Sequence, residues 1–377
     1  MIKRIIFFHP KALNFDSDRP SDIRPIKLIR TFEKLGYVVD LATGESRERK
    51  KSQQEILKNI RNNTAYDFLY GETSNKPNAL GDADNLPRGP VSDYLFLKKV
   101  HTAGIPIGIF YRDIYWYFPL FKSLLPRYQR WLSLPLYWLD WFCYRSVINH
   151  LFLPSLEMNQ KLPHPYKTDM VSELPPGLET AQTEPVTTKE YAKPNTLTCL
   201  YVGALLPPIY DLRETIKLLS QRKDVILKII CRKNDWDAVS DLYQETLSNN
   251  IMVEHISHND IGSAYNTADL ALIVREAHEY LDFCMPYKLF EALDYSTPLI
   301  VSGENTVSRF VKENNFGWEV TGLNEFEKLL TQITADRSLL FEKISSIAAG
   351  KKQHSWESRA HQIAQTLGNV GAESNEH

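Results

Sequence analysis

Only four cysteines occur in 377 residues, and Cys143, Cys199, Cys231 and Cys284 stand far apart. That spacing excludes a disulfide scaffold and a paired zinc-ribbon arrangement, and it fits a reducing cytoplasm. No stretch reaches the ~18 apolar residues of a membrane span. Even the richest region is broken by Lys122, Arg127, Arg130, Asp140 and Arg145. The apolar run in MIKRIIFFHPK is shorter than the ~7 to 15 residues of a signal-peptide core, so it reads as a first strand. These features predict a soluble or peripheral protein. Neither sign of charge dominates: 44 Lys+Arg against 46 Asp+Glu leave −2, so the whole chain has no general pull toward nucleic acid. GxGxxG, P-loop, HExxH and GxSxG strings are missing, which removes the simplest nucleotide and hydrolase signatures.

What is present is a repeated alternation of short apolar runs and helical periodicity, the pattern of parallel sheets covered by helices. Strands are expected at Ile5 to Phe8, Tyr37 to Ala42, Asp67 to Tyr70 and Ile105 to Tyr111. Pro25 suits a first helical position, with Ile26, Ile29, Phe32 and Leu35 at helical spacing and Gly36 as the stop. A basic helix is expected near 49–62, with RERKK as its solvated start, and another near 93–101. The Pro-, Thr- and Glu-rich segment between Val171 and Asn195 reads as an exposed connection. Alternation then resumes with strands at Leu197 to Val202, Val225 to Cys231, Ile251 to Glu254, Leu270 to Val274 and Leu299 to Ser302, and with a helix running to about Leu247. The expected plan is an amino-terminal domain over 1–180, a second α/β domain over 195–350 and a terminal helix and tail over 351–377. Ligands of such sheets bind at the carboxyl ends of the strands.

The segment MPYKLFEALDYSTPLIVS, Met285 to Ser302, preceded by DLALIVRE, resembles the sugar-nucleotide site of GT-B glycosyltransferases, of the bacterial group 1 type that builds surface polysaccharide. Pro286, Lys288, Glu291, Pro298 and Ser302 match its pattern. YVGAL, with Gly203, is similar to the turn after the first strand of the carboxy-terminal domain, and Asn266, Ala268 and Asp269 to a turn before a later strand. PSLEM at Pro154 to Met158 and PPG at Pro175 to Gly177 resemble architectural segments of the same superfamily. The resemblance implies an α/β, GT-B fold: two Rossmann-like domains facing across a cleft, with the carboxy-terminal helix returning to the first domain. One departure stands out. Many retaining members carry a glutamate eight positions before the one matched by Glu291, and here that position is Phe283.

The resemblance implies a donor site formed by Gly203, Arg232, His258, Arg275, Met285, Lys288 and Glu291. Physical chemistry accords with it: a helix opening at Met285 to Tyr287 would direct free N–H groups at a diphosphate, Lys288 adds a charge, and Glu291 one turn on can accept from ribose hydroxyls. An i,i+3 surface ion pair is the alternative for Lys288 and Glu291. Gly203 allows close backbone approach, and a positive φ would suit it. Asp113, directly after a strand, is the candidate base, or else a cap for the following turn. Arg112, His9 and Arg24 in the SDIRP segment are candidates for the acceptor side, or for packing and capping. No cofactor other than the donor substrate is implied, and no metal; Asp82-Ala83-Asp84 spells a DxD string in a polar loop away from the expected site.

From Tyr115 to Phe152 there are thirteen aromatics, including four of the seven tryptophans, among Lys122, Arg127, Arg130 and Arg145. Such a belt suits either the headgroup zone of an anionic membrane, on the inner face of the plasma membrane, or a domain core. The expected function is transfer of a sugar, of hexosyltransferase type, from a nucleoside-diphosphate sugar to a saccharide or lipid-linked saccharide acceptor in capsule, lipopolysaccharide or exopolysaccharide assembly. A sugar-nucleotide epimerase on the same fold and a non-catalytic sugar-binding protein are the alternatives.

Overall fold

The computed structural model describes residues 2–16, 20–179, 196–207, 209–257 and 260–374. The chain forms two compact units, Met1–Gly177 with Trp356–His377, and Leu178–Ser355.

In the first unit, six parallel strands, β1 (Arg4–Phe8), β2 (Val38–Ala42), β3 (Phe68–Glu72), β4 (Ile107–Phe110), β5 (His150–Leu153) and β6 (Val171–Glu173), lie in the order β2-β1-β3-β4-β5-β6. Ile5 to Phe8 are buried completely, which is why β1 reads as an unbroken apolar run: helices cover both faces of a parallel sheet. The first helix spans Pro20–Lys34, so Pro25 lies inside it rather than opening it, and Arg24 is helical. At this sixth position the proline's fixed φ suits the helix, but the bond to the carbonyl four residues back is forfeited. The helix Trp356–Ser374 packs on Pro20–Lys34, burying Ala360, Ile363 and Leu367. A Cβ on Gly108 would stand 2.9 Å from the Leu367 side chain, so the bare backbone of β4 is what lets this helix approach. The expected return of the terminal helix to the first domain is thereby met.

In the second unit, β7 (Leu197–Val202), β8 (Val225–Ile230), β9 (Ile251–Glu254), β10 (Leu270–Ile273), β11 (Leu299–Ser302) and β12 (Gly317–Val320) are again all parallel, in the order β12-β11-β10-β7-β8-β9. Leu197, Cys199 and Tyr201 enter one hydrophobic cluster and Leu200 the opposite one, the two-residue alternation of a strand buried on both faces. The helix expected to reach Leu247 is instead one turn, Lys233–Asp237, followed by two tight turns at Ser240–Leu242 and Gln244–Thr246. Asp, Ser and Thr there bond locally and compete with helix continuation, as Gln244 Nε2 does by donating to Asp241 at 2.9 Å. Most of the connection expected over 171–195 lies outside the described residues.

RERKK is not uniformly solvated. Arg49, in the helix Ser46–Arg61, is buried; its Nε donates to Asp93 at 3.0 Å and its Nη1 to the carbonyls of Gly44 (2.6 Å) and Pro10 (2.7 Å). The DxD letters serve structure: Asp82 accepts from the backbone and hydroxyl of Ser46, and Asp84 pairs with Arg88.

Candidate functional site

Each sheet has one place where neighbouring strands lead their connections to opposite faces, and the carboxyl ends of those strands form a natural crevice. In the second unit it lies between β7 and β10. Gly203 follows β7 and donates its N–H to the Ile230 carbonyl at 3.0 Å. Its φ is not in the left-handed region, contrary to the sequence expectation. The nearest atoms an added Cβ would meet belong to the Tyr201 ring, its hydroxyl at 3.1 Å, so glycine here leaves the backbone approachable rather than turning it.

Arg275 follows β10 and is held by both main chain and side chain. Its N–H donates to Ser302 Oγ at 2.7 Å, Ser302 Oγ–H returns to the Arg275 carbonyl at 2.7 Å, and Nη2 donates to the Leu281 carbonyl at 2.8 Å. Nη1 is buried and has no partner among the described residues. Burial lowers the Arg275 pKa, with Cys284 and Asp282 opposing. Arg275 helps line a cleft of 610 Å³ with Arg213, Ser302, Gly303 and Thr321.

The helix Tyr287–Asp294 begins after Pro286, whose extended backbone makes it the cap. Met285 is part of the hydrophobic core. Lys288 Nζ pairs with Glu291 Oε2 at 2.8 Å, the lysine side chain 31% exposed and the glutamate 6%. Tyr265 OH reaches the same oxygen at 3.5 Å, while its ring stacks on Tyr295 at 5.4 Å. The pair therefore has the i,i+3 geometry of a surface bridge but its acid is buried. Arg232 is exposed and caps the short helix after β8. His258 lies outside the described residues.

In the first unit the crevice falls between β1 and β3, and the acceptor-side candidates gather around it. His9, just past β1, is buried; its Nδ1 sits 3.3 Å from both the nitrogen and the oxygen of Lys11. Burial brings its pKa down to about 4 against the opposing hydrogen bond to the Lys11 backbone, and the Lys11 and Arg112 charges add to the lowering, so it is neutral at pH 7. Arg24 Nε donates to Glu72 Oε1 at 3.0 Å, and Tyr70 OH donates to that oxygen at 2.8 Å. The Arg24 guanidinium lies 3.7 Å from the centre of the Phe110 ring. Arg112 donates its backbone N–H to Thr73 Oγ1 at 3.0 Å; burial lowers its pKa while Glu72 raises it. Asp113 Oδ1 accepts the Tyr115 N–H at 2.9 Å, capping the turn.

Sequence reading missed Glu72, Thr73 and Arg359. The first two end or follow a strand and were open to the same strand-end argument as Asp113. Arg359 carries no local signal: the terminal helix brings it within electrostatic range of Arg24.

The aromatic belt is buried in part and exposed in part. Trp116, Tyr137, Trp141 and Tyr144 are buried, with Trp116 stacked on Tyr137 at 5.3 Å. Across the outer face of the helix Arg127–Arg145, Trp131 is 84% exposed and helps line a groove of 800 Å³ with Lys122, Arg127 and Arg130. Among the described residues, no helix is long and apolar enough to cross a membrane.

Two six-stranded parallel sheets in these orders, with the terminal helix joined to the first unit, define the GT-B fold of glycosyltransferases. Residues 215–346 match the model of the C-terminal domain of glucosyltransferase 3-like proteins. HepE of Anabaena, solved with UDP, aligns over 97% of this chain and 100% of its own, with 13% identity and a TM-score of 0.63. A glycosyltransferase of Rickettsia africae aligns over 98% of both chains, with 12% identity and a TM-score of 0.65. WaaG, a glycosyltransferase involved in lipopolysaccharide biosynthesis, aligns over 96% of this chain and 99% of its own at 13% identity, with a TM-score of 0.56. No curated protein sequence matches the chain.

Proposed function

We propose that the protein transfers a sugar from a uridine-diphosphate sugar to a saccharide acceptor. The observation that carries this reading is Arg275, clasped at the end of β10 in the lining of a 610 Å³ cleft, with one guanidinium nitrogen buried and unspent. Such a group suits the charge that develops on a departing diphosphate. Lys288 and the approachable backbone at Gly203 supply the rest of the seat, and Glu291 holds Lys288 in place as well as being a candidate for the ribose hydroxyls. HepE was solved in complex with UDP and with UDP-glucose, which favours uridine as the base here. Lysine, arginine and backbone donors provide the electrostatic part of the chemistry without a divalent metal.

Asp113 is the proposed base that takes the acceptor hydroxyl proton as that oxygen attacks the anomeric carbon. The test is turnover of labelled UDP-glucose with a mixture of saccharide acceptors. Asp113→Asn should slow transfer by about 10²- to 10⁴-fold while donor affinity is kept. Full activity in that variant removes its role, and epimerised donor without transfer points to the epimerase alternative.

The acceptor is proposed to be lipid-linked, with surface polysaccharide as the product, because Trp131 and its groove pair exposed aromatic surface with Lys122, Arg127 and Arg130, complementary to an anionic headgroup layer. Trp131 is the residue to replace, since Trp138 packs on Trp116 at 5.2 Å and Phe142 at 5.6 Å. Trp131→Ala should lower sedimentation with vesicles containing phosphatidylglycerol and leave the unfolding temperature alone; unchanged sedimentation counts against the membrane contact.

A further inference from the structure

Arg24 is unusual among the arginines of the first unit. It is 4% exposed; its Nε donates to Glu72, and the Tyr70 hydroxyl stands beside the guanidinium. Nη1 and Nη2 are both buried without a hydrogen-bonding partner among the described residues. A guanidinium presents five N–H donors in a planar fork, and four of them belong to these two nitrogens. Phe110 covers one face of that plane at 3.7 Å and Glu72 fixes its rotation, so the fork is held rigid with its outer edge unsatisfied. Buried donors are ordinarily satisfied, and an exception calls for a partner.

The guanidinium itself specifies the charge of that partner. Arg112 and Arg359 both lie within electrostatic range of Arg24, and Lys11 stands beside His9, while Asp22 and Asp113 act on Arg112 from the acidic side. His9 is neutral, so it neither adds to nor cancels this field. Glu72 is the carboxylate bonded to Arg24, and its bond to Tyr70 engages the same oxygen. The location, at the carboxyl ends of β1 and β3, is where an open parallel sheet receives ligands.

We propose that the Nη1 and Nη2 edge of Arg24 binds an oxyanion of the acceptor, a sugar carboxylate or a phosphate, so that this enzyme selects acidic acceptors. The inference deepens the transferase reading and rests on it for the word acceptor; the anion site itself stands on the geometry of Arg24. A carboxylate or phosphate meets a guanidinium through two parallel N–H···O bonds, a geometry lysine cannot supply.

The test uses the full chain in an Arg275→Gln background, which weakens the second unit's seat for phosphates. Unfolding temperature is followed during titration with inorganic phosphate and, separately, with glucuronate, for Arg24, Arg24→Gln and Arg24→Lys forms. Saturable stabilisation by at least one probe is expected with Arg24, none with Arg24→Gln, and about tenfold weaker affinity with Arg24→Lys. Response to glucuronate alone assigns a sugar carboxylate; response to phosphate alone assigns a phosphate-bearing acceptor. No response with Arg24 present, or an equal one in Arg24→Gln, overturns the proposal. If Arg24→Gln does not fold, Arg24→Lys decides, and equal affinity there also overturns it. UDP binding by the unmodified protein is measured in parallel. UDP bound without an oxyanion response sinks this inference alone, whereas an Arg24-dependent response without UDP binding sinks the transferase reading and leaves the anion site standing.

Discussion

Lys288→Ala is expected to weaken UDP binding by about 10- to 100-fold, the loss of one charged contact to a phosphate. The same change should also destabilise the fold, because the partner left behind is Glu291, whose side chain is 6% exposed. Removing one member of a buried pair costs ~3 to 5 kcal/mol, and the partly exposed lysine reduces this to about 1 to 3 kcal/mol here. The two effects separate in the double variant Lys288→Ala, Glu291→Gln. Neutralising the acid should recover most of the stability in urea unfolding, while UDP affinity measured by calorimetry stays low. Recovery of UDP affinity together with stability means that Lys288 acts only as the partner of Glu291.

Asp140→Asn is expected to flatten the pH dependence of stability. Asp140 is buried in the helix Arg127–Arg145, accepts the Asn78 backbone N–H at 2.7 Å, and lies near Asp93. Burial pushes its pKa up to about 8, with the Asn78 hydrogen bond and Arg49 opposing. The folded protein then keeps a proton that the unfolded chain releases near pH 4. Stability from this group is full below that pH and falls as pH rises toward about 8, by up to ~1.4 kcal/mol per pH unit. Asparagine has the same shape and still accepts from Asn78, but it carries no titrating proton. Relative to the unmodified protein, the variant should gain on the order of 2 to 5 kcal/mol between pH 4.5 and pH 8 in denaturant unfolding. Parallel profiles for the two proteins count against a buried neutral Asp140.

Much of the fold was legible because parallel strands buried on both faces appear as unbroken apolar runs. Ile5 to Phe8, Leu197 to Val202 and Leu299 to Ser302 fall where they were expected. Strand ends then led to Arg112, Asp113 and Arg275, since ligands of open parallel sheets bind at the carboxyl ends of the strands, and the family resemblance of YVGAL led to Gly203. Reading failed where one member of a polar run turns inward. Arg49 looked like the rest of RERKK, and its burial depends on Asp93, 44 positions away. Glu291 looked like half of an ordinary helical bridge, and its burial depends on Tyr265 as well as Lys288.

By itself, then, the order of residues determined two parallel α/β units and which loops border their crevices, because periodicity and turn chemistry are local. Tertiary structure alone decided which charges are buried and what they meet. Arg24 finds Glu72 across 48 positions, and the terminal helix brings Arg359 within electrostatic range of Arg24. The cost of burying a charge is set by whatever the fold packs around it, and that neighbourhood is assembled from distant parts of the chain.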